Sequence, residues 1–323
     1  RGARRILPKG ACPPDQGYAQ VLILRGAPGW LPLPHLSAGG PWSNHATAGQ
    51  AYSWYMKTDT RPPAVAGSFY QGGRRRLLAD VEALLADAPE SSAALMPRML
   101  IVPHAGHVYS GPVAAIGYRL LAREGVKRVG LVGPSHYVPF RGLAAPQHPR
   151  LETPLGTVDL DPVVDELVHR GLAVRSEPAH AREHSLEVQL PFLQIVAPES
   201  TVAPLLTGDE DPDPAGVAVD AMLDAGLFVI VSSDLSHYHD HVTARSLDSK
   251  TANAIVELRE GDLGRESACG RTAVRGALRV AAERGWKCEL LDLKTSADTA
   301  GPADRVVGYG CFALGPAGAR RAP

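Results

Sequence analysis

The 323-residue chain predicts an α/β fold: a single domain with one mostly parallel central sheet flanked by helices. Two observations carry that prediction. Short runs of consecutive apolar residues, the pattern of strands buried on both faces, alternate along the chain with stretches whose apolar residues recur every three to four positions. Such alternation builds parallel crossovers and leaves helices on both faces of a sheet. The composition, 45% hydrophobic and 21% charged, lies near globular averages and excludes a disordered or fibrous chain.

Residues 1–55 stand apart. They hold seven Pro and eight Gly, three of the four tryptophans and no periodic apolar pattern, so they read as a disordered or spurious extension. The first methionine is Met56, the expected working start, and 56–323 reads as one domain.

The elements of that domain follow in order. Over 74–88, Leu77, Leu78, Val81, Leu84 and Leu85 share one helical face. Met99-Leu100-Ile101-Val102 is a buried strand ended by Pro103. A helix is expected at 111–123, then a strand at 128–132 stopped by Gly133-Pro134. The stretch 139–160 reads as a hairpin or excursion turning at Leu155-Gly156-Thr157. Asp161-Pro162 caps a helix running to 170. A helix over 183–195, interrupted by Pro191, precedes a strand at 201–206. Next come a helix at 214–224 and the most hydrophobic strand, 227–231. Helices at about 243–259 and 271–284 and strands at about 288–293 and 306–313 complete the series.

Several function classes drop out. A net charge of −1 offers no basic field for nucleic acid, and Arg74-Arg75-Arg76 is better read as a solvated face. No window approaches the ~18 consecutive apolar residues of a membrane span. Four scattered cysteines without a CxxC pair argue against a disulfide scaffold or zinc module and point to the cytoplasm. No nucleotide loop of the GxxxxGK[ST] type and no GxSxG elbow is present.

Chemistry collects instead where strands end. Three of the expected strands run into His104, His136 and His237, which the sheet would direct toward one crevice. Imidazole is both the commonest metal ligand and the natural acid/base near neutral pH. Any one of the three reads equally well as a hydrogen-bonded loop histidine; three at equivalent positions favour a metal or acid/base site. His184 and Glu187, spaced i and i+3 on an expected helix, are either partners orienting a ligand imidazole or an ordinary surface pair. His239 and His241 read as solvated loop residues, and Cys288 and Cys311 as core.

At these residues the sequence resembles the Memo family. The resemblance is carried by Ala66-Gly67-Ser68-Phe69-Tyr70, by Val102-Pro103-His104-Ala105-Gly106 with Tyr109-Ser110-Gly111, and by Gly133-Pro134-Ser135-His136. It continues through Glu183-His184-Ser185-Leu186-Glu187 with Leu190-Pro191, Ser232-Ser233-Asp234-Leu235-Ser236-His237 and Ala268-Cys269-Gly270-Arg271. These motifs keep their order over 64–314. Bacterial and archaeal members are called AmmeMemoRadiSam system protein B, which implies association with AMMECR-type and radical-SAM proteins.

The resemblance implies a fold like that of class III extradiol dioxygenases, which are non-haem iron enzymes. It implies His104, His136 and Cys269 as metal ligands, with cysteine where the dioxygenases have a carboxylate, and Asp234 and His237 lining the site, His237 as acid/base. A thiolate softens the site and favours copper(I), zinc or a thiolate-bound iron over a hard ion; the resemblance to iron enzymes puts iron first, with copper or zinc as alternatives. The helix expected after Cys269 and its neighbour Arg271 would favour the thiolate. His107 departs from the family's usual aromatic residue; it adds a polar group at the mouth or only exchanges one ring for another. The implied function is a metal-dependent redox enzyme acting on a small molecule or peptide in the metal crevice. A non-catalytic, peptide-binding adaptor is the alternative, and metal-assisted hydrolysis is a weaker third.

Overall fold

The computed structural model describes residues 59–90, 94–208 and 211–318; the expected boundary at Met56 and the reading of 1–55 lie outside the described residues. Thr60–Arg61 (β1) and Arg74–Asp87 (α1) lead to Met99–Val102 (β2), His107–Leu121 (α2) and Arg128–Pro134 (β3). The excursion after β3 resolves into Leu143–Ala145 (β4), Arg150–Thr153 (β5) and Gly156–Asp159 (β6). Then come Val163–His169 (α3), Val174–Arg175 (β7), Glu177–His180 (α4), Leu190–Val196 (α5) and Thr201–Thr207 (β8). Asp213–Asp224 (α6), Phe228–Ser232 (β9), His237–His239 (β10) and His241–Val256 (α7) follow. Arg271–Glu283 (α8), Lys287–Thr295 (β11) and Val306–Gly315 (β12) close the series.

The main sheet has nine strands in the order β10-β12-β2-β9-β3-β8-β4-β7, with β11 also paired to β12. Its centre is parallel: Met99 pairs with Val229, Val129 with Phe228, and Arg128 with Thr201. Antiparallel strands extend it, β12 beside β2 and β4 beside β8. A small second sheet joins β1 parallel to β5, with β6 closing the expected hairpin. Two-residue strands such as β1 carry no periodic signal, so the sequence did not announce them.

Side chains alternate across the central strands, so each strand serves two cores. Leu100 and Val102 pack with Leu77 of α1, Val113 and Tyr118 of α2, and Phe192 of α5. Met99 and Ile101 face Val219 and Met222 of α6 and Val274 and Leu278 of α8. Helices therefore cover both faces, and the sheet's carboxyl edge stays open for chemistry.

The expected helix over 183–195 begins only at Leu190. Residues 181–186 are turn and loop, and Glu187–Gln189 is a single 3-10 turn. Pro191 sits in the first turn of α5, where a missing N–H costs nothing, so it starts the helix rather than interrupting one. The backbone N–H groups of His184 and Ser185 donate to the Glu183 carboxylate at 2.8 and 2.9 Å, in place of helical bonds. The shared helical face expected of His184 and Glu187 therefore does not exist. Helix α2 begins at His107, earlier than periodicity indicated, because the His107 N–H finds Phe69 O at 2.7 Å. Among the described residues no helix is long and apolar enough to cross a membrane.

Candidate metal centre

His104 follows β2, His136 follows β3, and Asp234 follows β9, so three neighbouring parallel strands deliver them to one edge of the sheet. Two further groups arrive from elsewhere. His184 comes from the loop between α4 and the 3-10 turn, and Cys269 comes from the residue before the Gly270 that caps α8. The ligand atoms of His104, His136 and His184 lie within 4.8 Å of one another. The His136 and His184 rings stack at 4.6 Å, and His104 stands edge-on to both, at 5.2 and 5.7 Å. Cys269 Sγ lies 3.2 Å from His104 Nε2 and also hydrogen-bonds His136.

The hydrogen bonds assign the His104 tautomer. Ser232 Oγ spends its one proton on the Ser185 carbonyl at 2.6 Å and accepts from Gln189 Nε2 at 2.8 Å. Tyr118 fixes that amide by donating to Gln189 Oε1 at 2.8 Å. Toward His104 Nδ1, at 2.9 Å, the serine oxygen can therefore only accept. Nδ1 therefore carries a proton, and Nε2 is the ring atom that meets the sulfur. The Asp234 carboxylate takes the His104 backbone N–H at 2.7 Å, which holds the start of this loop.

Electrostatics make Cys269 a thiolate. Burial would raise its pKa, but the charge and hydrogen bond of His104, with a hydrogen bond from His136, bring it down to about 6. The Asp234 N–H also points at the sulfur, 3.3 Å away. Burial works against a charged His136, yet hydrogen bonds to Cys269 and Glu183 hold it well above the ordinary imidazole value. His184 stays neutral, its pKa pushed down to about 3 by burial and by the charge of His136.

These residues fit a metal ion. Three imidazoles and a thiolate converge, and a proton now lies where sulfur meets imidazole. A cation taking that proton's place would satisfy the same donors and release protons as it bound.

The other expected residues fall as follows. His237 lies beside the cluster, but its Nδ1 donates to the Leu235 carbonyl at 2.8 Å, so a backbone carbonyl and not Asp234 fixes its tautomer. Burial lowers the His237 pKa and raises that of Asp234. His107 is not at the mouth: it is buried between Tyr70 and Phe192, with Nε2 on the Val188 carbonyl at 2.9 Å. Glu187 faces away from the imidazoles. It pairs with Arg61 at 2.8 Å and accepts from Tyr70 Oη and from the N–H groups of Ala64 and Val65. Nor is it part of a surface pair, since His184 and Glu187 are both buried.

Sequence reasoning passed over Glu183, Ser232, Gln189 and Arg61. Glu183 was visible as the residue before His184, but a helical reading of the segment drew attention to Glu187 instead. Helix α8 starts hard against β9: a Cβ at Gly270 would meet the Ser232 carbonyl oxygen and Ser233 Cβ at 2.7 Å.

Fold and cluster together define an α/β protein with a histidine group able to hold a metal ion. The family model described as "Memo-like protein" matches residues 61–313. The chain is 35% identical to a MEMO1 family protein of Saccharolobus solfataricus, an alignment covering 77% of this chain and 97% of that one. It is 34% identical to a MEMO1 family protein of Caldivirga maquilingensis, covering 79% and 99% respectively. A third, from Pyrobaculum aerophilum, is 33% identical over 77% of this chain and 96% of its own. The chain belongs to the Memo-like family.

Proposed function

We propose that this Memo-like protein is a metal-dependent redox enzyme, related in chemistry to extradiol dioxygenases, that acts on a small molecule at the sheet's carboxyl edge. The observation that carries this reading is the approach of Cys269 Sγ to His104 Nε2, 3.2 Å, beside two further imidazoles. His104, His136 and Cys269 would hold the ion, with His184 as the adjoining imidazole; iron is favoured, and copper or zinc are the alternatives. When bound, a redox metal would supply electron exchange between substrate and oxidant.

The protein's own part is proton handling and orientation. His237, held through Nδ1, keeps Nε2 free to take or give a proton, and Asp234 anchors the His104 loop. Exposed His136 leaves the cluster open to a ligand. Association with AMMECR-type and radical-SAM proteins, and a cytoplasmic location in keeping with the free Cys269, Cys288 and Cys311, belong to the same proposal. The thiolate in place of a carboxylate favours the second reading, a metal-dependent peptide-binding adaptor.

Anaerobic purification with metal analysis, followed by oxygen-consumption assays with catechols and metabolite extracts, tests the enzyme reading. His104→Ala, His136→Ala and Cys269→Ser should each lose most bound metal with unchanged circular dichroism. His237→Ala should keep the metal and slow turnover roughly 10²–10⁴-fold. Wild-type protein that binds metal and peptides but never consumes oxygen would move the conclusion to the adaptor.

A further inference from the structure

Glu183 is buried, 3% exposed, and among the described residues no lysine or arginine meets its carboxylate; Arg61 reaches only its backbone carbonyl, at 2.7 Å. Oε2 accepts the His136 backbone N–H at 2.6 Å. Oε1 accepts from His136 Nδ1 at 2.9 Å and from the N–H groups of His184 and Ser185 at 2.8 and 2.9 Å. His184 Nδ1 lies 3.4 Å from the same oxygen. One carboxylate thus stands behind both rings of the stacked pair, on the Nδ1 side of each.

We infer that Glu183 is the positioning residue of the metal centre: it turns Nδ1 of His136 and of His184 to one anion, so that both Nε2 atoms present to the ion as a single unit. Histidine ligands generally donate their second ring nitrogen to a carboxylate or carbonyl that fixes ring orientation. Here the His136 ring has such a partner, the His184 ring stands with its Nδ1 3.4 Å from the same oxygen, and the carboxylate also binds the backbone of both residues. Ring and main chain are therefore clamped together. Glu187, four positions on and equally buried, provides the contrast, since its partners are Arg61, Tyr70 and the backbone of Ala64 and Val65.

The inference rests on the metal-centre reading above, and cobaltous ion tests the two separately. Metal-stripped full-length chain is titrated with cobaltous chloride, recording affinity, the visible bands of the bound ion and the melting temperature. Wild type should bind one equivalent. Glu183→Gln should bind about 10–100-fold more weakly, with shifted bands. Glu187→Gln should melt at lower temperature yet keep wild-type bands and affinity. If Glu183→Gln fails to fold, Glu183→Asp decides: its shorter side chain cannot reach both rings, so its bands must shift. Wild-type affinity and bands in a folded Glu183 variant would overturn the inference while leaving the metal centre intact. No cobalt uptake by wild type would overturn both.

Discussion

Cys269 Sγ and His104 Nε2 approach to 3.2 Å across 165 positions of sequence, one at the start of α8 and the other past the end of β2. The contact holds a proton between a soft anion and an imidazole. It makes this sulfur unlike the other two cysteines of the described chain, Cys288 and Cys311, whose pKa values burial drives upward.

Alkylation by iodoacetamide should therefore single out Cys269. With a thiol pKa of about 6, its rate should level off above pH 7, while Cys288 and Cys311 stay unmodified in the folded protein. Peptide mass spectrometry after timed quenching reads all three. Bound metal should protect Cys269; equal labelling of the three would remove its thiolate character.

Arg61 should matter more for stability than its place in a two-residue strand suggests. Its guanidinium donates to the carbonyls of His180 and Glu183 and to the Glu187 carboxylate, which is itself buried. Arg61→Ala leaves that carboxylate without its cation, and a loss of about 3–5 kcal/mol is expected in urea unfolding. Adding Glu187→Leu should recover part of the loss. A change within about 0.5 kcal/mol would show the pair to be dispensable.

Acid should weaken the metal-free protein before its carboxylates titrate. Burial brings His107 down to about 4 and His180 to about 3, so both are neutral in the folded chain. The unfolded chain takes up these protons near pH 6.5. Below that pH the unfolded state binds more protons, so stability is whole above about 6.5 and falls toward pH 4 and 3. Each group adds a slope of about 1.4 kcal/mol per pH unit within its window. His184, also at about 3, adds to them, and His107→Phe should remove only its own contribution, as read from urea midpoints at pH 7.5, 5.5 and 4.5.

His237 should be a neutral Nδ1–H tautomer at pH 7. Its Nδ1 donates to Leu235, and burial keeps its pKa below the ordinary value. Two-bond proton–nitrogen correlation spectra of labelled protein report the tautomer directly. A protonated Nε2 would leave no base at this position.

The readable parts of this chain were those with a long enough pattern. Apolar runs such as Met99–Val102 and amphipathic faces such as that of Arg74–Asp87 located the central sheet and its helices within a few residues. Histidines at strand ends could be read for the same reason, because the sheet dictates where they point. Segment 181–189 resisted. Its backbone is organised by Glu183 and Arg61, through contacts 47 to 122 positions away in sequence, and no periodicity encodes those. A helix imposed there paired His184 with Glu187, whereas the fold pairs it with His136. His107 misled differently: its neighbours in sequence belong to the site, yet the first turn of α2 swings its ring into the core.

Gly270 turns the gap between β9 and α8 into a gauge for the sulfur. A single methyl there would press on the Ser232 carbonyl and the Ser233 side chain at 2.7 Å, and the helix start would have to back away with Cys269 attached. The donor atoms would all remain in the sequence, yet the thiolate would no longer close on His104. A chain of this type can therefore be silenced without losing one ligand, and an inventory of its histidines and cysteine would miss the change.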